Sequence, residues 1–170
     1  DLSARYQAEL ANGFGNLASR TIAMIERYYE AIVPAPAEYA EGDLAIQRVV
    51  ADAATAADAA MERFRPDEAI GAIWTIVDAL NGYITENEPW ALAKDDAKRA
   101  RLGTVLYTAA EGLRALAVLL SPVMPESTRK LWEALGIDAR IEDQPLREAG
   151  TWGVLPAGTT VNGLAPLFPR

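Results

Sequence analysis

Cysteine and histidine are both absent from the 170 residues. Without thiolate or imidazole ligands the usual zinc sites cannot be built, no disulfide can form, and every triad that uses His or Cys is excluded. Acid–base chemistry would fall to carboxylates, lysine or tyrosine. Long apolar runs are missing too: the longest, Ala115 to Leu120, is far short of the roughly 18 residues a membrane span needs. A soluble protein with no membrane partner is expected. The chain starts at Asp1 with no basic-then-apolar leader, as expected of a piece of a longer polypeptide and not of a secreted precursor. There is no internal repeat, no P-loop, no glycine-rich dinucleotide fingerprint and no pair of carboxylates in a hydrolytic setting. No catalytic residue, metal site or cofactor of its own is therefore expected.

Positive charge is also in short supply. The net charge is −8, which argues against a general DNA or nucleic-acid binder, since such proteins carry a broad basic field to exploit counterion release. The acid is unevenly placed. Residues 38–68 hold eight acidic side chains against Arg48, Arg63 and Arg65, a local −5. Residues 94–101 set Lys94, Lys98, Arg99 and Arg101 against Asp95 and Asp96, a local +2. One face can meet an anion while another repels it.

A chain of this length fits one domain and can bury roughly 70% of the surface its unfolded form exposes. Apolar residues at Tyr6, Leu10, Phe14, Leu17, Met24 and Tyr28 predict an amphipathic helix over 2–33. Its stripe centres near Leu10 and Tyr28, with Asn16, Arg20 and Arg27 some 80–120° away at about 100° per residue. Those three flank the groove beside a neighbouring helix, or form a solvated helix edge. The segment 34–42, with Pro34, Pro36 and Gly42, reads as a loop. Asp43 then caps an Ala- and acid-rich helix to about Arg65, expected to be outermost, with Leu44, Val49, Val50, Met61 and Phe64 as its packing residues. Pro66 opens a third helix, and Asp67 and Glu68 complement its dipole. That helix carries a broad apolar face of Ile70, Ile73, Trp74, Val77, Leu80 and Ile84. A fourth, from Asp95 or Asp96 to Pro122, is the most hydrophobic and expected to be central. Pro125 starts a short fifth helix that Gly136 ends. From 137 to 170 periodicity disappears, but Trp152, Val154, Leu155, Leu167 and Phe168 predict a tail that docks.

Between the third and fourth helices lies residues 81–95, NGYITENEPWALAKD. A residue before proline is pushed out of the α region, so Glu88 should end helical geometry while Pro89 pre-sets a new turn. Trp90 then stands at a corner. There it either plugs a core layer, which its residue type alone favours, or offers its face to something that stacks, such as an unpaired base.

Several phrases in order resemble the C-terminal anticodon-binding domain of bacterial methionyl-tRNA synthetases, which are class I enzymes. They are residues 9–20 (ELANGFGNLASR), residues 81–95, the end PLFPR at 166–170, Leu106-Tyr107 with EGLR at 111–114, and LSPVMPE at 120–126. The resemblance covers nearly the whole chain. It implies an all-α bundle of about five helices over 1–136 with the irregular tail of 137–170 packed against it. It also implies binding of the tRNA(Met) anticodon stem-loop, with anticodon CAU. The family's anticodon-reading asparagine and arginine fall on Asn16 and Arg20, and its tryptophan on Trp90, which would stack the wobble cytosine. Asn16 offers both donor and acceptor and Arg20 a planar donor fork, suited to base edges. Arg27, Lys94 and Lys98 carry no family role and remain candidate phosphate contacts.

The nucleotide-binding signatures of such synthetases are missing. The resemblance therefore implies that ATP and Mg belong to a catalytic domain of the same polypeptide preceding Asp1, that this chain is inactive alone, and that the whole is cytoplasmic. Two rival readings accompany it: the equivalent bundle of another class I synthetase, and an acidic helical protein-interaction module.

Overall fold

The computed structural model describes residues 2–168, without the side chains of residues 2, 3, 5–7 and 10. Tyr6 and Leu10 of the expected stripe, and Pro169 and Arg170 of the terminal motif, lie outside the described residues. The architecture is all-α, as the sequence patterns imply: α1 (Leu2–Tyr29), α2 (Glu41–Glu62), α3 (Pro66–Asn87), the single turn α4 (Pro89–Leu92), α5 (Arg99–Leu120) and α6 (Pro125–Ala134). Five long helices and one short corner make the bundle. Among the described residues the sole β feature is an isolated antiparallel bridge, Ile32 to Thr160.

The first helix stops at Tyr29, four residues earlier than the pattern predicts. Glu30 and Ala31 both adopt positive φ, and no glycine announces the break. The backbone from Ala31 to Val33 is taken by the tail instead: Val33 N donates to Thr159 O at 2.8 Å, Gly158 N to Val33 O at 2.8 Å and Val161 N to Ala31 O at 2.7 Å. Buried Ala18, Thr21, Ile22 and Ile25 join Phe14 and Leu17, which turns the core stripe away from Tyr28. Asn16 and Arg27 consequently lie further from the core than expected.

The second helix corrects two expectations. Its packing runs through small residues, Ala53, Ala54, Ala57 and Ala60 beside Ile46 and Val50, so it lies close along α3 and reaches α5 as well. Leu44, Met61 and Phe64, expected to anchor it, are exposed, Phe64 at 89%. Asp43 is not the N-cap. Ala40 holds that place, and Asp43 three residues on accepts from Ala40 N at 2.8 Å. Its carboxylate is fully buried and also takes bonds from Arg101 at 2.6 and 3.0 Å and from the Tyr83 hydroxyl. Arg101 goes on to Asn87 Oδ1 at 2.9 Å. One buried acid thus ties the start of α2 to the end of α3 and the start of α5. Burial works to raise the Asp43 pKa, but the bonds from Arg101, Tyr83 and Ala40 overcome it and hold the carboxyl below its usual range. Burial and the hydrogen bond to Asp43 push the Tyr83 hydroxyl well above its ordinary value.

The corner forms where the sequence places it. Glu88 closes α3 with its amide on Ile84 O and leaves the right-handed helical region, as the residue before Pro89 should, for the left-handed one (φ 44, ψ 64). Asp95 caps a three-residue 3-10 turn that leads into α5. From Leu102 to Leu120 every residue of α5 is buried, which makes it the central helix. The stretch Asp96–Leu120 is long and apolar enough to cross a membrane, but its most apolar window is wholly covered by the rest of the protein.

Gly136 ends the last long helix in the left-handed region, φ 76. A Cβ there would lie 2.2 Å from Thr160 O, so the tail can cross only over a glycine. Beyond it the tail docks through buried Ile141, Ala149, Leu155, Val161 and Leu167. Val154, expected as an anchor, is 46% exposed, while its amide is what binds. Glu111, fully buried in α5, accepts from the amides of Gly153, Val154 and Leu155 at 2.6 to 3.0 Å. Arg114 pairs with Glu111 at 2.7 Å and donates to the carbonyls of Ala149 and Thr151, each at 3.0 Å. Tyr107 donates to Leu155 O at 2.7 Å.

Candidate nucleic-acid interface

The left-handed Glu88 and the fixed φ of Pro89 set Trp90 on a one-turn helix. Pro89 is buried beneath it, while Trp90 keeps 39% of its surface open. The plug reading is thereby excluded, because a tryptophan filling a core layer would be closed off. Arg20 comes across from α1, half-buried, with its guanidinium 6.0 Å from the Trp90 ring centroid. That is the outer limit of a cation–π contact, worth about 0.5–1 kcal/mol where water has access. The structure therefore brings together two of the three family-implied residues, from sequence positions seventy apart.

Asn16 is one turn before Arg20 on the same helix and is exposed. It lines a groove of about 340 Å³ together with Asn12, Gly15 and Ser19 of α1 and Pro166, Leu167 and Phe168 of the tail. A Cβ on Gly15 would lie 3.2 Å from Cδ2 of Phe168, so the missing side chain lets the ring come against the helix. The neighbouring Gly13 carbonyl accepts from Asn81 Nδ2 at 3.4 Å, which seats α1 on α3.

Of the candidate phosphate contacts, Arg27 is exposed two turns beyond Arg20, its guanidinium 5.7 Å from the Tyr28 ring. Lys94 and Lys98 are exposed on the connection from α4 to α5. The local +2 of residues 94–101 does not all face outward, because Arg101 is committed to Asp43. Arg99 donates to Tyr28 O at 2.8 Å and lies 4.1 Å from the Tyr29 ring. Burial pushes the Tyr29 hydroxyl up, with Arg99 opposing. No group of three or more carboxylates able to hold a metal occurs among the described residues.

The sequence marks Asn16, Arg20 and Trp90 as candidates, but the groove is not anticipated from it. Asn12 and Ser19 share the Asn16 face at helical spacing, a signal that was available. The tail wall was not, since residues 166–168 belong to no periodic element.

Comparison with known proteins points the same way. The model of the anticodon-binding domain of methionyl tRNA ligase matches residues 33–170. A methionine–tRNA ligase of Streptomyces coelicolor is 48% identical over 100% of this chain and 33% of its own length. One from Caldanaerobacter subterraneus is 42% identical over 98% of the chain and 26% of its own length. The crystal structure of Mycobacterium tuberculosis methionyl-tRNA synthetase bound by methionyl-adenylate superposes with a TM-score of 0.88 at 31% identity, covering 98% of this chain and 33% of that one. The chain thus spans about a quarter to a third of the relatives it matches. Those matches favour this family over both the bundle of a different class I synthetase and an unrelated acidic interaction module. The chain belongs to the family of anticodon-binding domains of methionyl-tRNA ligases.

Proposed function

We propose that this chain selects tRNA(Met) by reading the CAU anticodon of its stem-loop, as the recognition module of a cytoplasmic enzyme whose catalytic domain, in the same polypeptide, uses ATP and Mg to attach methionine. The observation that carries this is the half-open Trp90 held at the α3–α4 corner with Arg20 over its ring. Unpaired loop bases are splayed out, stacked on aromatics and hydrogen-bonded along their edges. Trp90 stacks one anticodon base, the wobble cytosine. Arg20, already positioned by the ring, and Asn16, free in solvent, supply donors and an acceptor to base edges. Arg27, Lys94 and Lys98 meet phosphates. The helical part, 1–136, carries the readers from α1 and α4, and the tail 137–170 braces them.

The test is a fluorescence titration of a CAU stem-loop with parent and Trp90→Ala proteins. Loss of one base stack weakens binding by about 1–3 kcal/mol. Because Trp90 is partly exposed, the fold should lose far less than the roughly 3–5 kcal/mol that emptying a closed aromatic site costs. A folded variant that binds as tightly as the parent refutes the assignment of this residue.

A further inference from the structure

We infer that the Asp43–Arg101 ion pair is a clamp that aims Trp90. Arg101 and Asn87, backed by Asp43, are positioning residues that hold the α3–α4 corner in the backbone geometry that turns the tryptophan ring outward. This rests on the proposal that Trp90 stacks a loop base, and adds how the ring is kept ready for it.

The corner is strained. Glu88 takes φ 44 and ψ 64, a left-handed conformation uncommon for a residue with a side chain of this size. Before a proline the ordinary resting place is the extended region. No glycine or asparagine relieves the position, and the Glu88 side chain is exposed. Such backbone persists only where the surroundings over-determine it.

The neighbours of Glu88 supply the restraint. Pro89 is buried. Asn87, the last residue of α3, is held at both atoms of its amide: Nδ2 donates to Tyr83 O at 2.8 Å, and Oδ1 accepts from Arg101 Nη2 at 2.9 Å. Arg101 is fixed in turn by two bonds to Asp43, at 2.6 and 3.0 Å. That carboxylate is fully buried and also takes the Ala40 amide and the Tyr83 hydroxyl. A guanidinium is a rigid planar fork, so seating one edge on a buried acid fixes where its remaining N–H points. Here it points at the residue next to the strained one.

Holding the helices together does not call for this last bond. Tyr83 belongs to α3, so Asp43, Arg101 and Tyr83 already join α2, α5 and α3. The bond to Asn87 ties in no further helix. What it adds is a grip on the corner. Beyond Glu88, its carbonyl accepts from the amides of Ala91 and Leu92 at 2.8 and 3.1 Å, so rotating Glu88 swings the one-turn α4 as a body. Relaxation to the extended region would take the ring away from Arg20, whose guanidinium now lies 6.0 Å from its centroid.

Fluorine NMR can watch the ring directly. With fluorotryptophan incorporated, Trp74, Trp90, Trp132 and Trp152 each give a line, and Trp90→Phe identifies the relevant one. Asn87→Ala removes the acceptor at a helix end where alanine is well tolerated. Arg101→Lys keeps the charge beside Asp43 but lacks the fork that reaches both partners. In both variants the Trp90 line is expected to shift or broaden while the other three stay in place. Only molecules with the ring outward bind a base, so Asn87→Ala should weaken binding of a CAU stem-loop by about 2- to 12-fold, the range of one hydrogen bond. In a Trp90→Ala background the same substitution should cost nothing further. If Arg101→Lys moves all four lines by loosening the bundle, Asn87→Ala decides. An unmoved Trp90 line in that variant overturns the clamp. So does a loss of binding that is equal with and without Trp90, or parent-like binding by Asn87→Ala while Trp90→Ala is weakened; all three leave the anticodon reading standing. A line that moves as expected, with Trp90→Ala binding as tightly as the parent, keeps the clamp and overturns the base stack.

Discussion

Replacing Glu111 by alanine should release the tail before it melts the bundle. The carboxylate is fully buried and takes five hydrogen bonds, two from Arg114 and three from the amides of Gly153, Val154 and Leu155. Breaking a buried pair by removing one partner costs about 3–5 kcal/mol, because the other charge stays behind. Each backbone amide left buried without an acceptor adds about 1–3 kcal/mol. The combined cost would rival the whole stability of an ordinary domain, about 5–15 kcal/mol. The protein has a cheaper route: detaching the tail returns those amides and the Arg114 guanidinium to water, so the docking free energy of the tail caps the loss. We expect a stability loss of about 3–5 kcal/mol and, at about 2–4 °C per kcal/mol, a Tm lower by roughly 6–20 °C. Hydrogen exchange should show protection vanishing at Gly153, Val154 and Leu155 while the amides of α5 exchange as in the parent. Parent-like protection of those three amides, or a loss below about 1 kcal/mol, refutes this account of how the tail is held.

Acid should loosen the other end of the bundle. The Asp43 pKa is depressed in the fold, so its contribution is complete above the unfolded value near 3.9 and disappears as pH falls through the folded one; the acid-side decline in Tm should be shallower in Asp43→Asn. Tyr83 has the opposite sign. Its raised pKa gives stability present below about pH 10 and lost as pH rises beyond it; Tyr29 and Tyr107 are raised as well, so Tyr83→Phe should make the decline in alkaline melts shallower without removing it. Gly136→Ala combines a positive φ with a Cβ 2.2 Å from Thr160 O; it should destabilise by more than about 1 kcal/mol, whereas a urea midpoint equal to the parent's would contradict the crossing described here. RNA binding should depend only weakly on salt. Three phosphate contacts at Arg27, Lys94 and Lys98 give a slope of log affinity against log salt of about −2, at roughly 0.7 per contact for single strands, and a slope near −6 would mean that cations outside this set carry the binding.

What could be read from the chain differs from element to element, for physical reasons. Pro66, Pro89, Pro122, Pro125 and Gly136 act locally, through fixed φ or a missing Cβ, so the breaks they mark appear where expected. The end of α1 has no such residue. It is set by hydrogen bonds from residues 158–161, which no local window contains. The second helix was expected to pack through its larger side chains, but it is the alanines that admit α3 closely. Asp43 carried the signature of a cap, and only the arrival of Arg101 and Tyr83 makes it a buried centre. At the interface Trp90 was legible as a corner residue, although its exposure, which separates plug from platform, depends on the surrounding helices.

The antiparallel contact between residues 31–33 and 158–161 also sets an order of events during synthesis. The segment after α1 leaves the ribosome early, and Val33 N and the carbonyls of Ala31 and Val33 find their partners only once residues 158–161 have been made. Closing that loop encloses α2 through α6 and carries the entropy of a long ring, though this grows only logarithmically with length. Helices can form and pair as they emerge, as domains do at about 5–20 residues per second. The closing step cannot be vectorial. A nascent chain arrested before Gly158 should therefore hold helices around an unsealed α1–α2 junction, open to proteases at Glu30 to Pro34, and full protection there should appear only once residues 158–161 have emerged.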